Sequence, residues 1–154
     1  MDKVKNAKRT KIICSQSTNE TMAIAKELGK QAGQQGIRLL FLEGNLGAGK
    51  TVFVKGLAKA LGVHRPVKSP SFVLVAEYPG ALFNLIHADL YRIEKSQVPG
   101  LNLREYLEDP KNVLAIEWAE KLPKQFFAGY PKVTIRLTVG VAANERRIVL
   151  SCKM

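Results

Sequence analysis

A short glycine-rich segment, residues 44–51, constrains the fold of this chain more than any other feature. It reads GNLGAGKT, which satisfies the pattern G-x-x-x-x-G-K-[ST]. The continuous apolar run 37–42 precedes it, and apolar residues at helical spacing follow it as far as Gly62. A strand, a loop of exposed backbone N–H groups and a helix N-terminus together make a site for phosphate. The segment therefore predicts a phosphate-binding loop between a buried strand and a helix.

The residue types within the loop indicate what each would do. Lys50 is expected to reach the outer phosphates of a nucleotide as a mobile cation, and the Thr51 hydroxyl to ligate the magnesium ion that the nucleotide carries. The glycines permit backbone conformations that bring amides together. The predicted nucleotide-binding residues here are Asn45, Leu46, Gly47, Ala48, Gly49, Lys50, Thr51 and Val52.

Composition bounds the class of protein. With 154 residues and 46% hydrophobic content, the chain is long enough for one domain with its own core. The two cysteines are expected to be reduced, and neither a membrane span nor a secretory signal is visible, so a cytoplasmic location is expected.

The formal net charge is +11, and much of the excess lies near the N-terminus. We divide the chain into a basic arm, residues 1–10, and a domain, residues 11–154. A solvated arm, an arm that contacts RNA and an arm that enters an acidic protein groove all remain open, because charge alone is not specific.

Hydrophobic patterning predicts an α/β fold, with a mixed sheet flanked by helices in a single domain. Together with the phosphate-binding loop, this arrangement resembles the P-loop NTPases. Ser17 and Glu20 have the spacing of a capping box and predict a helix that ends near Gly33. The other predicted elements are strands at 11–14, 72–78, 82–87, 112–118, 132–139 and 146–151, and a short helix at 100–108.

Two acids follow apolar strand segments and are candidates to complete the site. Glu117 comes after the run 113–116, and Asp89 comes just after the predicted strand 82–87. Ligands in open α/β sheets bind at the carboxyl ends of the strands, where both acids would lie. One would hold the hydrated metal and the other would orient or deprotonate the attacking water, and the residues alone leave the assignment open.

His87 and Trp118 are neighbours of the two acids in the sequence. His87 is expected to be packed or hydrogen-bonded rather than a ligand. Trp118 is expected either to pack over the site or to fill the core, and the core is favoured. Ser69, Pro70 and Ser71 lie in a loop that either reaches the outermost phosphate or simply turns the chain into the next strand.

With the phosphate loop, KSPSFVLVAEY, HADLYRI and IEWAE in this order, the chain resembles the TsaE family of bacterial ATPases, which are required for threonylcarbamoyladenosine modification of tRNA. The resemblance spans roughly residues 17–148. It implies a small P-loop ATPase that binds ATP and Mg²⁺, docks on a TsaB–TsaD heterodimer and activates or resets the carbamoyl-transferring subunit. It leaves direct tRNA contact undecided.

The resemblance also assigns roles to individual residues. It implies that Glu117 is linked to the metal, that Asp89 is the acid of the HADLYR block, and that residues 69–71 form a mobile loop. Thr18, at the start of the first helix, corresponds to the region near the adenine. Asn45 replaces the family's usual aspartate and Ser71 its usual threonine, which changes the charge near the phosphates in the first case and keeps the hydroxyl in the second.

Three other functions compete with this one. A small-molecule kinase would need an acceptor pocket and an arginine-bearing lid, and no lid insertion is readable. A GTPase would carry a late [NT]-K-x-D segment, which is missing from the sequence. An RNA-binding module that merely contains the loop would bind tRNA with a steep salt dependence. The ATPase is expected to be slow without partners, because the sequence offers no evident arginine finger.

Overall fold

The structure, a computed structural model, describes residues 9–154. In chain order its elements are β1 (Arg9–Ser15), α1 (Thr18–Gln34), β2 (Leu39–Glu43), α2 (Lys50–Ala60), β3 (Val75–Tyr78), β4 (Asn84–Asp89), β5 (Asn112–Glu117), β6 (Lys132–Val139) and β7 (Arg146–Lys153). Short 3₁₀ segments cover Lys95–Leu101, Glu105–Glu108 and Ala119–Lys121. The predicted α/β class, a mixed sheet flanked by helices in one domain, is confirmed.

The seven strands form one sheet in the order β1-β7-β6-β2-β5-β4-β3. Its centre, β6-β2-β5-β4, is parallel, whereas β1, β7 and β3 join it in antiparallel pairs. Parallel strands end at the same edge of a sheet, so the carboxyl ends of β2, β4 and β5 are neighbours. This edge is where the glycine-rich segment leaves β2.

Alternation along the central strands decides which side chains meet α2. Leu40 and Leu42 of β2 pack in the cluster that contains α1 and α2, whereas Leu39 packs in the second cluster, under the 3₁₀ segments. Because successive strand residues point to opposite faces, a strand covered on both sides reads as a continuous apolar run. The same rule puts Asp89, at the end of β4, and Glu117, at the end of β5, on the α2 side of the sheet.

Helix α1 begins where the capping pattern predicts. The Ser17 hydroxyl accepts a hydrogen bond from the Glu20 amide at 3.1 Å. The Glu20 carboxylate in turn accepts from the amide of Gln16, the residue before the cap, at 2.7 Å. Ser17 thus satisfies one of the free amides of the first turn, and Glu20 ties the helix to the segment that precedes it. Helix α2 ends at Ala60, and Gly62 then adopts a positive φ of 76°, as predicted for a glycine stop.

Several element boundaries differ from the prediction, among them the end of β5, which is Glu117 rather than residue 118. Strand β3 begins at Val75 rather than residue 72, because Leu74 has a positive φ of 67° and residues 71–73 form a turn. Strand β4 begins at Asn84 rather than residue 82 and extends to Asp89. The predicted helix 100–108 is instead two 3₁₀ segments separated by a left-handed Asn102 (φ 52°).

Strands β1 and β7 extend further than predicted. Strand β7 continues to Lys153, paired with β6 along its whole length. Strand β1 begins at Arg9, so Arg9 and Thr10, which we assigned to the basic arm, lie in the sheet opposite Cys152 and Ser151. Residues 1–8 lie outside the described residues, and the arm itself stays a prediction.

Within residues 9–154, neither α-helix combines the length and the hydropathy that crossing a bilayer requires.

The close approach of α1 and α2 yields a stability prediction. A Cβ added at Gly56 would lie 2.6 Å from the Ala25 Cβ and would also press on the Met22 carbonyl. Gly56→Ala is therefore expected to lower the free energy of unfolding by about 1–3 kcal/mol through overpacking, measured by urea denaturation. As a control, Gly33→Ala, with no heavy atom within 4 Å of the added Cβ, is expected to be neutral or to stabilise by up to about 1 kcal/mol. Equal effects of the two changes would contradict this packing argument.

Candidate functional site

A cleft of ≈ 300 Å³ opens at the sheet edge where β2, β4 and β5 end. Its volume is at the lower end of the range for ligand pockets, about 300–1,000 Å³. It is lined by Leu46, Gly47, Gly49, Lys50, Thr51, Val52, Ser69, Ser71, Asp89, Tyr91, Glu117, Trp118 and Arg146. The chain thus brings the glycine-rich loop, the 69–71 loop and both strand-end acids together around one cleft.

The glycines of the loop are needed for its shape. Gly44, Gly47 and Gly49 have positive φ values of 147°, 79° and 99°, a region that other L residues rarely adopt. At Gly44 there is also no room for a side chain, since a Cβ would lie 2.5 Å from the Leu137 carbonyl oxygen of β6. The loop is therefore fixed against the parallel centre of the sheet.

Lys50 is buried at the first turn of α2, with 5% of its surface exposed. Its ammonium donates to the carbonyl oxygens of Gly44 at 2.6 Å and Asn45 at 2.9 Å, and it lies 4.2 Å from the centre of the Trp118 ring. Burial lowers the pKa of Lys50, while the nearby carboxylates, Glu117 first among them, act in the opposite direction. The cation is incompletely compensated, so a bound anion would be favoured here.

Glu117 connects the end of β5 to the start of α2. Its Oε1 accepts a hydrogen bond from the Thr51 hydroxyl at 2.8 Å and lies 2.9 Å from His87 Nε2. A carboxylate cannot donate, so the imidazole donates from Nε2. Only 3% of Glu117 is exposed. The two hydrogen bonds that its Oε1 accepts offset much of the free-energy cost of burying a carboxylate.

Sequence reasoning missed the contact that His87 makes with Glu117. The expectation of a packed, hydrogen-bonded histidine is confirmed, since it is fully buried, but its partner is an acid of the site. Its Nδ1 has no hydrogen-bond partner within the described residues. The signal was available in the strand period, since His87 lies two residues before Asp89 and so shares its face.

Asp89 is connected to the 69–71 loop. Its Oδ2 accepts from the Ser71 hydroxyl at 3.1 Å and from the Ser69 hydroxyl at 3.4 Å, and the two hydroxyls lie 2.7 Å apart. Its Oδ1 accepts from the Tyr91 amide at 2.9 Å. A change at this acid would therefore be transmitted to the 69–71 loop, which we call the serine loop.

Of the two positions considered for Trp118, the structure shows the one over the site rather than the favoured one in the core. The side chain is half-buried and borders the cleft, with its ring centre 5.0 Å from that of Tyr91. Trp118 has a positive φ of 57°, which turns the chain sharply after β5. Because of this turn, the ring lies over the Lys50 ammonium rather than continuing along the strand. A sequence pattern that ends in an apolar run gives no sign of such a turn.

Several predicted site residues lie apart from the cleft surface. Thr18 is the first residue of α1 and does not line the cleft, so its role near an adenine stays a prediction. Asn45 and Ala48 face a neighbouring cavity of ≈ 540 Å³ on the other side of the loop. Pro70 lies between the two serines but does not line the cleft.

The contact between His87 and Glu117 yields a prediction for a double-mutant cycle. His87→Phe keeps an aromatic ring but leaves the buried carboxylate with one donor fewer, whereas in a Glu117→Leu background it removes a donor that has already lost its acceptor. The two changes are expected to be coupled by about 1 kcal/mol or more in the free energy of unfolding. Additivity within about 0.5 kcal/mol would contradict a direct interaction.

Comparison with known proteins identifies the family. The family model described as "Threonylcarbamoyl adenosine biosynthesis protein TsaE" matches residues 15–148. The crystal structure of YdiB from Bacillus subtilis superposes with a TM-score of 0.74 at 31% identity, covering 96% of this chain and 88% of that one.

Three of the relatives that carry the name tRNA threonylcarbamoyladenosine biosynthesis protein TsaE illustrate the similarity. The Bacillus subtilis protein is 38% identical over 128 residues, 83% of this chain and 76% of its own length. The Aquifex aeolicus protein is 42% identical over 113 residues, 72% and 78% of the two chains. The Nostoc protein is 46% identical over 88 residues, and the match spans 55% of this chain and only 54% of that relative. The family match covers nearly all of the described domain, and the chain belongs to the TsaE family of tRNA threonylcarbamoyladenosine biosynthesis proteins.

Proposed function

We propose that this protein binds ATP with Mg²⁺ in the cleft and hydrolyses it in support of threonylcarbamoyladenosine modification of tRNA. One observation carries the proposal: the Thr51 hydroxyl and the Glu117 carboxylate are 2.8 Å apart beside the buried Lys50 cation. A phosphate loop with a hydroxyl, a strand-end acid and an ammonium group at its mouth has the parts that nucleotide hydrolysis requires.

The residues present fit a magnesium ion. Mg²⁺ prefers oxygen ligands and is usually held by one or two protein groups together with substrate phosphates. Thr51 and Glu117 supply two such oxygens, and the second Glu117 oxygen, Oε2, has no hydrogen-bond partner among the described residues. When bound, the ion would neutralise phosphate charge that develops during cleavage.

The chain's own groups would bind and orient the triphosphate. The loop amides and the N-terminus of α2 favour anions. Lys50 already donates to two backbone carbonyls and would exchange these neutral acceptors for anionic phosphate oxygens. The Trp118 ring beside the ammonium would restrict water at that side of the cleft.

The two acids would divide the work. Glu117, which is joined to Thr51, is the better candidate for the metal, and this leaves Asp89 to orient or deprotonate the attacking water. Asp89 accepts from Ser69 and Ser71, so the serine loop would respond when nucleotide occupies the cleft.

We further propose that the protein acts in the cytoplasm on a TsaB–TsaD heterodimer, as the family resemblance implies. Within residues 9–154 one arginine, Arg146, lines the cleft, and each of its side-chain hydrogen bonds goes to a backbone carbonyl rather than toward the cleft. Hydrolysis by the isolated protein would therefore be slow. Partner subunits would then complete the site. Whether tRNA is contacted directly is left to experiment.

Two substitutions should separate binding from hydrolysis. Lys50→Ala is expected to abolish Mg²⁺-dependent ATP binding in calorimetry while the protein still folds cooperatively. Glu117→Gln is expected to retain ATP binding and to slow hydrolysis on the order of tenfold or more. Lys55→Ala, an exposed position on the same helix, serves as the control for lost charge. Unchanged ATP affinity in Lys50→Ala, or wild-type turnover in Glu117→Gln, would overturn the corresponding role.

A second prediction concerns the assembly. The wild-type protein is expected to co-purify with TsaB and TsaD when ATP and Mg²⁺ are present, and less without them, because ligand that binds one conformation shifts the population toward it. Lys50→Ala should lose this nucleotide dependence. Assembly that is equally strong with and without nucleotide would contradict it, and tight, steeply salt-dependent binding of tRNA alone would favour the RNA-binding alternative.

A further inference from the structure

Arg146, the first residue of β7, reaches across to the phosphate loop. Its Nε donates to the Ala48 carbonyl at 2.9 Å, and its Nη2 donates to the Gly47 carbonyl at 3.3 Å. Its Nη1 donates to the carbonyls of Ala143 at 2.6 Å and Glu145 at 2.9 Å. One guanidinium thus joins two carbonyls of the loop to two carbonyls of the β6–β7 turn.

This contact determines how one loop peptide is oriented. In a trans peptide the C=O and the N–H point in opposite directions. The Ala48 carbonyl points to Arg146, so the Gly49 N–H at the other side of the same peptide points away from it. The Ala48 N–H is already used, since it donates to the Asn45 carbonyl at 3.0 Å. The Gly49 amide therefore depends on Arg146 for its direction, and Gly49 itself, at φ 99°, has little intrinsic preference that would hold it there.

We propose that Arg146 is a positioning residue that fixes the Ala48–Gly49 peptide so that its N–H is available to an anion. The effect on nucleotide rests on the proposed function, whereas the effect on the peptide does not. A loop that is already oriented pays less conformational entropy when it binds phosphate, so the affinity is higher.

The site requires an arginine rather than any cation. The planar guanidinium presents five donors in a fixed fork and can reach the loop and the turn at once, whereas lysine presents a single ammonium point. The turn is itself ordered, since the Gly140 amide donates to the Glu145 carbonyl at 2.8 Å and the Glu145 amide donates to the Ala142 carbonyl at 3.0 Å. Arg146 therefore joins the loop to a hydrogen-bonded turn of the sheet.

The neighbouring residue provides a matched control. Arg147 is exposed and is paired with Cys14 and Thr138 in the sheet. No hydrogen bond from its side chain is found within residues 9–154. Arg146→Ala and Arg147→Ala remove the same charge one residue apart, so any difference between them comes from the contacts of Arg146 and not from net charge.

The test measures the loop first without nucleotide and then with it. In ¹⁵N-labelled nucleotide-free protein, Arg146→Ala is expected to shift or broaden the Gly49 amide resonance, whereas Arg147→Ala leaves it unchanged. With ATP and Mg²⁺, Arg146→Ala should raise the Kd and KM about tenfold with kcat changed less than about threefold, and Arg146→Lys should recover only part of the affinity. Arg147→Ala should stay within about twofold of wild type.

The outcomes separate the two claims. An unchanged Gly49 resonance in Arg146→Ala, or equal ATP affinities for the two alanine variants, would overturn the proposal. A loss confined to kcat, with Kd unchanged, would also overturn it, because it would mean that the arginine acts on the reacting phosphate. Failure of the wild-type protein to bind ATP would refute the proposed function and leave the resonance test of Arg146 standing. Thermal unfolding of each variant shows whether a loss of affinity reflects loss of fold.

Discussion

The hydrogen bond between the Thr51 hydroxyl and the Glu117 carboxylate is the interaction on which the site depends. It joins the first turn of α2 to the end of β5 across 66 residues of sequence, at 2.8 Å. A buried carboxylate without donors would cost several kcal/mol. Thr51 and His87 supply those donors on one oxygen, which fixes the carboxyl group and leaves its other oxygen without a protein partner.

The cleft is preformed, and several of its charged groups already have hydrogen-bond partners within the protein. Lys50 donates to loop carbonyls, Asp89 accepts from the serine loop, and the guanidinium of Arg146 donates to backbone carbonyls. A triphosphate would therefore replace existing internal hydrogen bonds. Only the difference in free energy between the internal contacts and the contacts to phosphate would appear as affinity. The contact between Asp89 and the serines extends such an exchange from the phosphates to the 69–71 loop, a route by which occupancy of the cleft could be sensed by a partner.

Much of this arrangement follows from the sequence because it obeys local rules. The strand–loop–helix unit, the Ser17 cap and the period of two along β4 and β5 place Lys50, Thr51, Asp89 and Glu117 near one another before any coordinates are known. What the sequence did not show depends on backbone conformations that ordinary residues rarely adopt. Leu74 and Trp118 have positive φ values, so β3 starts late and the Trp118 ring turns back over Lys50. The contact of Arg146 with the phosphate loop was equally hidden, since Ala48 lies 98 residues away in sequence.

The most direct measurement of the central claim is a crystal structure with Mg²⁺ and a non-hydrolysable ATP analogue. The account predicts a magnesium ion bonded to the Thr51 hydroxyl at about 2.1 Å, with Glu117 beside it directly or through water. It also predicts that the Lys50 ammonium has left the carbonyls of Gly44 and Asn45 for phosphate oxygens. An analogue bound elsewhere, or phosphates in the cleft with Lys50 still on those carbonyls and no metal at Thr51, would contradict it.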